Sequence, residues 1–143
     1  MKSDLIRLLH EEQHSLVVAN GDVCTFDGRG VSDLYDLFKE DPGFLKGASL
    51  ADKIVGKAAA ALMALAEVRE VYADVVSRPA LDLLTDNKIS VSYGIIVPHI
   101  INRTKTGWCP LETRCFDCLT PQDCFTQIEE FITLQSKRMN SDK

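Results

Sequence analysis

The segment 49-SLADKIVGKAAAALMALAEV-68 decides the fold that the sequence predicts. From Ala58 to Ala66 it is apolar at every position and mostly alanine, a pattern typical of a buried helix packed closely against a sheet. Ser49 is a suitable N-cap, and Asp52, three residues later, can reach back to its amide as in a capping box. We therefore predict a central helix that begins near Leu50 and carries its polar residues in the first two turns.

The residues before this helix predict a short helix, a hairpin and a second helix. Residues 3–13 have one apolar face. The strands "SLVVAN" and "DVCTFD" flank Asn20-Gly21, a pair that accepts positive φ at both central positions of a type I′ turn. A helix from about Ser32 is expected to end at Pro42-Gly43.

The residues after the central helix alternate between strand and helix patterns. "VREVYADVVS" and "ISVSYGIIV" indicate strands, and Pro79 opens the helix "RPALDLLTDN" between them. The final helix, "TPQDCFTQIEEFITLQSKR", is capped by Thr120. This order predicts an α/β protein, a three-layer α-β-α sandwich with a mixed sheet, and the 143 residues fit one domain, 1–143. The inner face of the final helix is expected to comprise Phe125, Ile128, Phe131, Ile132 and Leu134.

Composition excludes several classes of function. A net charge of −5 without a basic run argues against nucleic-acid binding. No segment approaches the ~20 apolar residues of a membrane span, and the N-terminus has no apolar run of signal-peptide length. We therefore expect a cytoplasmic protein with no membrane partner, in which clustered cysteines are metal ligands, reactive groups or inert side chains rather than disulfides. Oligomeric state is not readable from these features.

The order of hairpin, helix, strand, Pro-led helix and strand resembles the cytidine-deaminase-like superfamily. Within it, 52-DKIVGKAAAALMAL-65 and 107-GWCPLE-112 together resemble an uncharacterised bacterial family of unknown function with that fold. The resemblance covers about residues 5–115. In working deaminases the buried helix begins with a His or Cys zinc ligand, followed two residues later by a glutamate, and the next helix begins Pro-Cys-x-x-Cys. No zinc donor stands at the matching positions, so the resemblance implies the fold without a metal or other cofactor. Those positions hold Gly56, Ala58, Ala80 and Leu83.

The beginning of the central helix is the first candidate site. Ligands of open α/β sheets bind beyond the carboxyl ends of the strands, where helices begin. Asp52, Lys53 and Lys57 would lie there, with the two lysines four residues apart on one face near free amides. This predicts a small anionic or nucleotide-like ligand. The alternative is that both lysines extend into solvent and that Gly56 serves helix packing.

A second candidate site centres on Cys109, which precedes Pro110, a favoured first helical residue. Glu112 lies where a capping box places its acid, and a thiol at a helix N-cap has a lowered pKa. Cys109 is therefore a candidate nucleophile oriented by His99 or Glu112, with His99 as a candidate base. His99 and Arg103 can reach the same opening and are also predicted to bind the ligand. The alternatives are a capping cysteine without chemistry and a packed histidine, and the sequence does not decide whether the protein is an enzyme.

Four cysteines fall within 109-CPLETRCFDCLTPQDC-124, with the spacing C-x5-C-x2-C-x5-C. Structural zinc sites usually have two close pairs, whereas only Cys115 and Cys118 form one here. A four-cysteine metal site, a redox pair of Cys115 and Cys118, and structural thiols remain alternatives, and the spacing favours the last. Cys124 has the position of a small apolar filler, and Cys24 is expected in the core.

Overall fold

The computed structural model of the chain describes residues 2–27, 31–98, 100, 110–115, 117–118 and 120–141. Its helices and strands, in chain order, are α1 (Lys2–Glu11), β1 (Leu16–Asn20), β2 (Asp22–Phe26), α2 (Ser32–Glu40), α3 (Pro42–Leu45), β3 (Ser49–Val55), α4 (Lys57–Leu65), β4 (Glu70–Ser77), α5 (Arg78–Asp86), β5 (Ser90–Val97), α6 (Pro110–Cys115) and α7 (Pro121–Ser141).

The strands form one open sheet in the order β2-β1-β3-β4-β5. β1 is antiparallel to both of its neighbours, while β3, β4 and β5 are parallel. The helices between the parallel strands, α4 and α5, therefore both begin at the edge of the sheet where those strands end. The predicted α/β class with a mixed sheet is confirmed.

Helices cover both faces of this sheet. α1 packs on one face through Leu5 and Leu9, which contact Val17, Ala19 and Ala51. The other face is covered by α4 and α5, and the large core there also includes side chains of α2, α3, α6 and α7. This arrangement is consistent with the predicted three-layer sandwich.

The prediction that the central helix begins near Leu50 is wrong. Residues 49–55 form β3, which pairs with β1 on one side and β4 on the other, and α4 begins only at Lys57. Ser49 is not an N-cap, because its hydroxyl donates to Glu70 Oε1 at 2.8 Å. Two neighbouring strands satisfy the backbone of this segment, and that tertiary pairing outweighs the local capping pattern.

The predicted hairpin is confirmed, but its turn differs. Gly21 has φ +84°, whereas Asn20 is not among the described residues with positive φ, so a type I′ turn does not form. The Asn20 side chain instead donates to the carbonyl oxygens of Phe44 and Lys46, at 2.9 and 3.0 Å. These bonds hold Asn20 at the end of an extended strand and attach the hairpin to α3.

The second helix ends as predicted, because α2 stops at Glu40 and Pro42 opens the separate short helix α3. Two smaller predictions need correction. Leu134 is 41% exposed rather than part of the inner face of α7, although the other four residues predicted for that face contact the core. Cys24 is only half-buried because β2 is an edge strand.

The parallel part of the sheet is interrupted along one row. Lys53, Asp74 and Gly94 occupy one row across β3, β4 and β5. The paired residues on either side of this row do not include them. In the next row Ile54 and Ile95 are 54% and 60% exposed, so the strands do not bury every apolar side chain beyond the interruption. A Cβ atom on Gly94 would lie 2.9 Å from the backbone oxygen of Asp74, so only glycine allows β5 to approach β4 this closely.

We expect Gly94→Ala to lower the free energy of unfolding by ~1–3 kcal/mol, because the added carbon meets backbone rather than a movable side chain. Gly43→Ala is the control, since its Cβ would meet nothing closer than the Asp41 side chain at 3.9 Å. Because alanine lowers the conformational entropy of the unfolded chain, Gly43→Ala should raise the free energy of unfolding by ~0.4–1 kcal/mol. Urea unfolding measures both, and equal effects would contradict the close approach of β4 and β5.

Candidate functional site

The carboxyl edge of the parallel strands brings two helix starts together. Gly56 is the N-cap residue of α4, and no side chain of the described residues caps it. Ser77 caps α5, where its hydroxyl oxygen accepts from the amide of Ala80 at 3.3 Å. The start of α4 therefore has backbone donors that its own cap residue does not satisfy.

Lys57 is the first residue of α4 and is buried, with only 9% of its surface exposed. Its ammonium donates to the carbonyl oxygen of Cys118 at 2.6 Å. This bond joins the central helix to the segment between α6 and α7. Lys57, one of the two lysines predicted to bind the ligand, is thus a buried cation where β3 ends and does not extend into solvent.

Asp52 and Lys53 lie in β3, so the expected helix face with lysines four residues apart does not exist. The amide of Ile54 donates to Asp52 Oδ1 at 3.4 Å. Burial raises the pKa of Asp52 to about 7, and repulsion from Asp74 adds to this, while the backbone amides of Ile54 and Lys53 oppose it. Asp52 is thus an ionisable group within the sheet rather than a helix cap.

Asp74 joins a small polar cluster that the sequence did not reveal. The Nε2 atom of His10 lies 2.6 Å from Asp74 Oδ1, and the Tyr72 hydroxyl donates to the same oxygen at 2.9 Å. The only sequence signal was a single acid within an otherwise apolar strand. These contacts attach α1 to the interrupted row of the sheet and explain the polar residue in β4.

Three of the clustered cysteines converge beside Lys57. Cys115 and Cys124 are fully buried, whereas Cys118 is half-buried. Cys115 Sγ lies 4.0 Å from the carbonyl oxygen of Cys124, and the amide of Cys118 donates to the carbonyl oxygen of Cys115 at 3.1 Å. Burial raises the pKa of Cys118 to about 11, and the Cys115 thiol together with burial raises the pKa of Cys124. The thiols of Cys118 and Cys124 are therefore protonated near neutral pH, and Cys124 fills the core as predicted.

An open cavity of about 410 Å³ lies outside the thiol cluster. Among the three cysteines, only Cys118 lines it. The other lining residues are Arg114, Asp117, Asp123, Thr126 and Gln127. Solvent and small solutes therefore reach the cluster from the side of α6 and α7.

The remaining predicted site residues are not placed. His99, Arg103 and Cys109 lie outside the described residues, and the side chain of Glu112 is not described although its backbone lies in α6. Within the described part of the chain, no group of three or more His, Cys, Asp or Glu side chains is arranged to hold a metal ion. A four-cysteine site would need Cys109, and the thiol enzyme built on Cys109 and Glu112 stays a prediction.

Residues 4–132 match the family model described as TM1506, a domain of unknown function (DUF1893). The chain belongs to the DUF1893 family. It is also similar to the crystal structure of a DUF1893 family protein (TM1506) from Thermotoga maritima, with 25% identity, 91% of each chain covered and a TM-score of 0.82. No curated protein matches this DUF1893 chain.

The predicted membership of a family of unknown function is thus confirmed, while the deaminase-like architecture stays a prediction. Among the helices that the structure describes in this DUF1893 chain, none is long and apolar enough to cross a membrane.

Proposed function

We propose that this protein is a metal-free domain of deaminase-like architecture that binds a small anionic or nucleotide-like ligand where β3, β4 and β5 end. One observation carries the proposal: the ammonium of Lys57 is held in a buried position at the first residue of α4. A buried cation at a helix start attracts anions, because the positive end of the helix dipole adds to its charge.

The order of the strands supports this location. Ligands of open α/β sheets bind outside the carboxyl ends of parallel strands, and here α4 and α5 both begin there. The positions matched to deaminase zinc ligands are at or near these helix starts, with Gly56 as the cap of α4 and Ala80 in the first turn of α5. Neither side chain can donate to zinc, so the chemistry that fits this edge is binding of an anion by cationic and amide groups.

The contact of Lys57 with Cys118 indicates how a ligand would bind. An ammonium has three donors, and a bond from it to an anionic oxygen is stronger than a bond to a neutral carbonyl. A phosphate or carboxylate at Lys57 would therefore replace the carbonyl of Cys118 as an acceptor and shift the segment between α6 and α7. Asp52 and Lys53 lie along β3 and are less direct candidates than Lys57.

We expect phosphate and nucleoside monophosphates to raise the melting temperature of the parent protein and to do so much less in Lys57→Met. A ligand at 100 times its Kd stabilises by ~2.7 kcal/mol, which a thermal shift assay detects easily. The comparison uses the increase that each ligand causes, because Lys57→Met also changes the stability of the free protein.

Lys46→Met is the matched control for this test. It also removes an ammonium, but Lys46 is 72% exposed and lies 3.8 Å from Glu67 in a surface ion pair. The control should respond to ligands like the parent. Equal ligand-induced increases in Lys57→Met and the parent, or no increase with any anion, would contradict the proposed site.

A further inference from the structure

We propose that Cys118 is an oxidation site: a hydroperoxide converts its thiol to a sulfenic acid, and Cys124 captures that acid as a disulfide. This inference goes beyond the proposed function and does not depend on ligand binding. It rests on the different accessibility of three adjacent thiols and on the contacts that join them.

Accessibility identifies the thiol that reacts first. Cys118 lines the open cavity of about 410 Å³, whereas Cys115 and Cys124 are fully buried. A small peroxide that enters the cavity therefore meets Cys118 and not the other two cysteines. Polar side chains around the cavity, including Arg114 and Thr126, suit a small polar oxidant.

Contacts between the thiols identify the second partner. The thiol of Cys124 contributes to the raised pKa of Cys118, and both Cys115 and Cys118 act on the pKa of Cys124, so Cys124 lies beside both. Cys118 Sγ also lies 3.8 Å from the carbonyl oxygen of Arg114, and Cys115 Sγ lies 4.0 Å from that of Cys124. Cys115 and Cys118, the close pair in the sequence, are thus joined in space by Cys124. Cys124 is the thiol in position to react with a modified Cys118.

Charges around Cys118 set the speed of the reaction. Burial, Cys124 and Asp123 raise the pKa of Cys118, while the ammonium of Lys57 lowers it. Arg114 and Asp117 also line the cavity at this thiol. Because the thiolate is the form that attacks a peroxide, the oxidation should be slow near neutral pH and faster as pH rises.

The chemistry requires only the hydroperoxide. The thiolate of Cys118 attacks one oxygen of the O–O bond, so that an S–O bond forms, the O–O bond breaks and the other oxygen leaves as water or an alcohol after taking a proton. The thiol of Cys124 then loses its proton and attacks the sulfur of Cys118. An S–S bond forms, the S–O bond breaks and the hydroxyl group leaves as water. Two thiols are oxidised and one peroxide is reduced.

The test treats the full-length reduced protein with hydrogen peroxide and maps its disulfides by peptide mass spectrometry. The parent should form a bond between Cys118 and Cys124, and the rate should rise roughly tenfold per pH unit between pH 7 and pH 9, as the thiolate fraction does. In Cys124→Ser the reaction should stop at a sulfenic acid on Cys118 that dimedone traps. In Cys118→Ser neither remaining cluster thiol should react at that rate.

Cys24→Ser is the control, because this cysteine lies in β2 away from the cluster, and it should oxidise like the parent. Dimedone added to the parent during oxidation gives a measurement that needs no variant, and it should label Cys118 before any other cluster thiol. First labelling of Cys115 or Cys124, a parent disulfide that omits Cys118, or a rate independent of pH would overturn the proposal.

Discussion

Replacing Asp52 with asparagine is expected to stabilise the protein at pH 8 by ~2–4 kcal/mol. The pKa of Asp52 rises from 3.8 to about 7 on folding, mainly because burial disfavours the charged form. Each pKa unit corresponds to ~1.4 kcal/mol, so full ionisation of this carboxyl costs up to ~4 kcal/mol. Solvent contact at the half-buried side chain reduces that figure. Asparagine keeps an oxygen that can accept from the amide of Ile54 without carrying the charge.

The pH dependence has a definite sign. Because the pKa is raised on folding, the folded state keeps a proton that the unfolded chain releases between pH 3.8 and about 7. The stability of the parent should therefore fall as pH rises through this window, and Asp52→Asn should remove that fall. Urea unfolding between pH 4 and pH 8 measures it. The exposed Asp82 of α5 provides the control, Asp82→Asn, and a similar gain in that variant at pH 8 would argue against a buried carboxyl at Asp52.

Replacing Leu62 with alanine is expected to lower the free energy of unfolding by ~2–5 kcal/mol. Leu62 is 0% exposed in the middle of α4 and belongs to the large core between the sheet and the covering helices. Its truncation leaves a cavity as well as removing apolar contacts. The better helix propensity of alanine offsets only a few tenths of a kcal/mol.

Leu134→Ala is the matched control for this second variant. It removes the same atoms from a leucine of α7 that is 41% exposed. It should change stability by no more than ~0.5 kcal/mol. Urea unfolding at one pH compares the two variants. A loss below ~1 kcal/mol for Leu62→Ala would mean that α4 is not enclosed as the structure has it.

Much of the fold follows from local sequence patterns. The turn glycine and flanking apolar runs predicted the hairpin, and Thr120 accepts from the amide of Asp123 at 3.2 Å, as its predicted capping role requires. The segment 49–55 could not be assigned in this way. Its serine, aspartate and lysine spacing matches a helix start, and only pairing with β1 and β4, distant in the sequence, selects the strand.

The candidate site was less predictable than the fold. The sequence indicated that Lys57 stands near a helix start, but not that its ammonium reaches the carbonyl of Cys118, 61 residues later. The spacing of the cysteines likewise gave Cys115 and Cys118 as the one close pair in the sequence, whereas packing of α6 against α7 brings Cys124 beside both. Such contacts depend on tertiary packing, which no local pattern encodes.

The buried alanines of α4 have a consequence for sequence variation in this family. Ala58, Ala59, Ala60 and Ala61 are all buried, and they allow the backbone of α4 to lie close to its neighbours. Shortening these side chains leaves only glycine, which weakens a helix, and lengthening any of them pushes apart several elements at once. Homologues should therefore drift freely at the surface of the molecule while this short stretch evolves almost without change in side-chain volume.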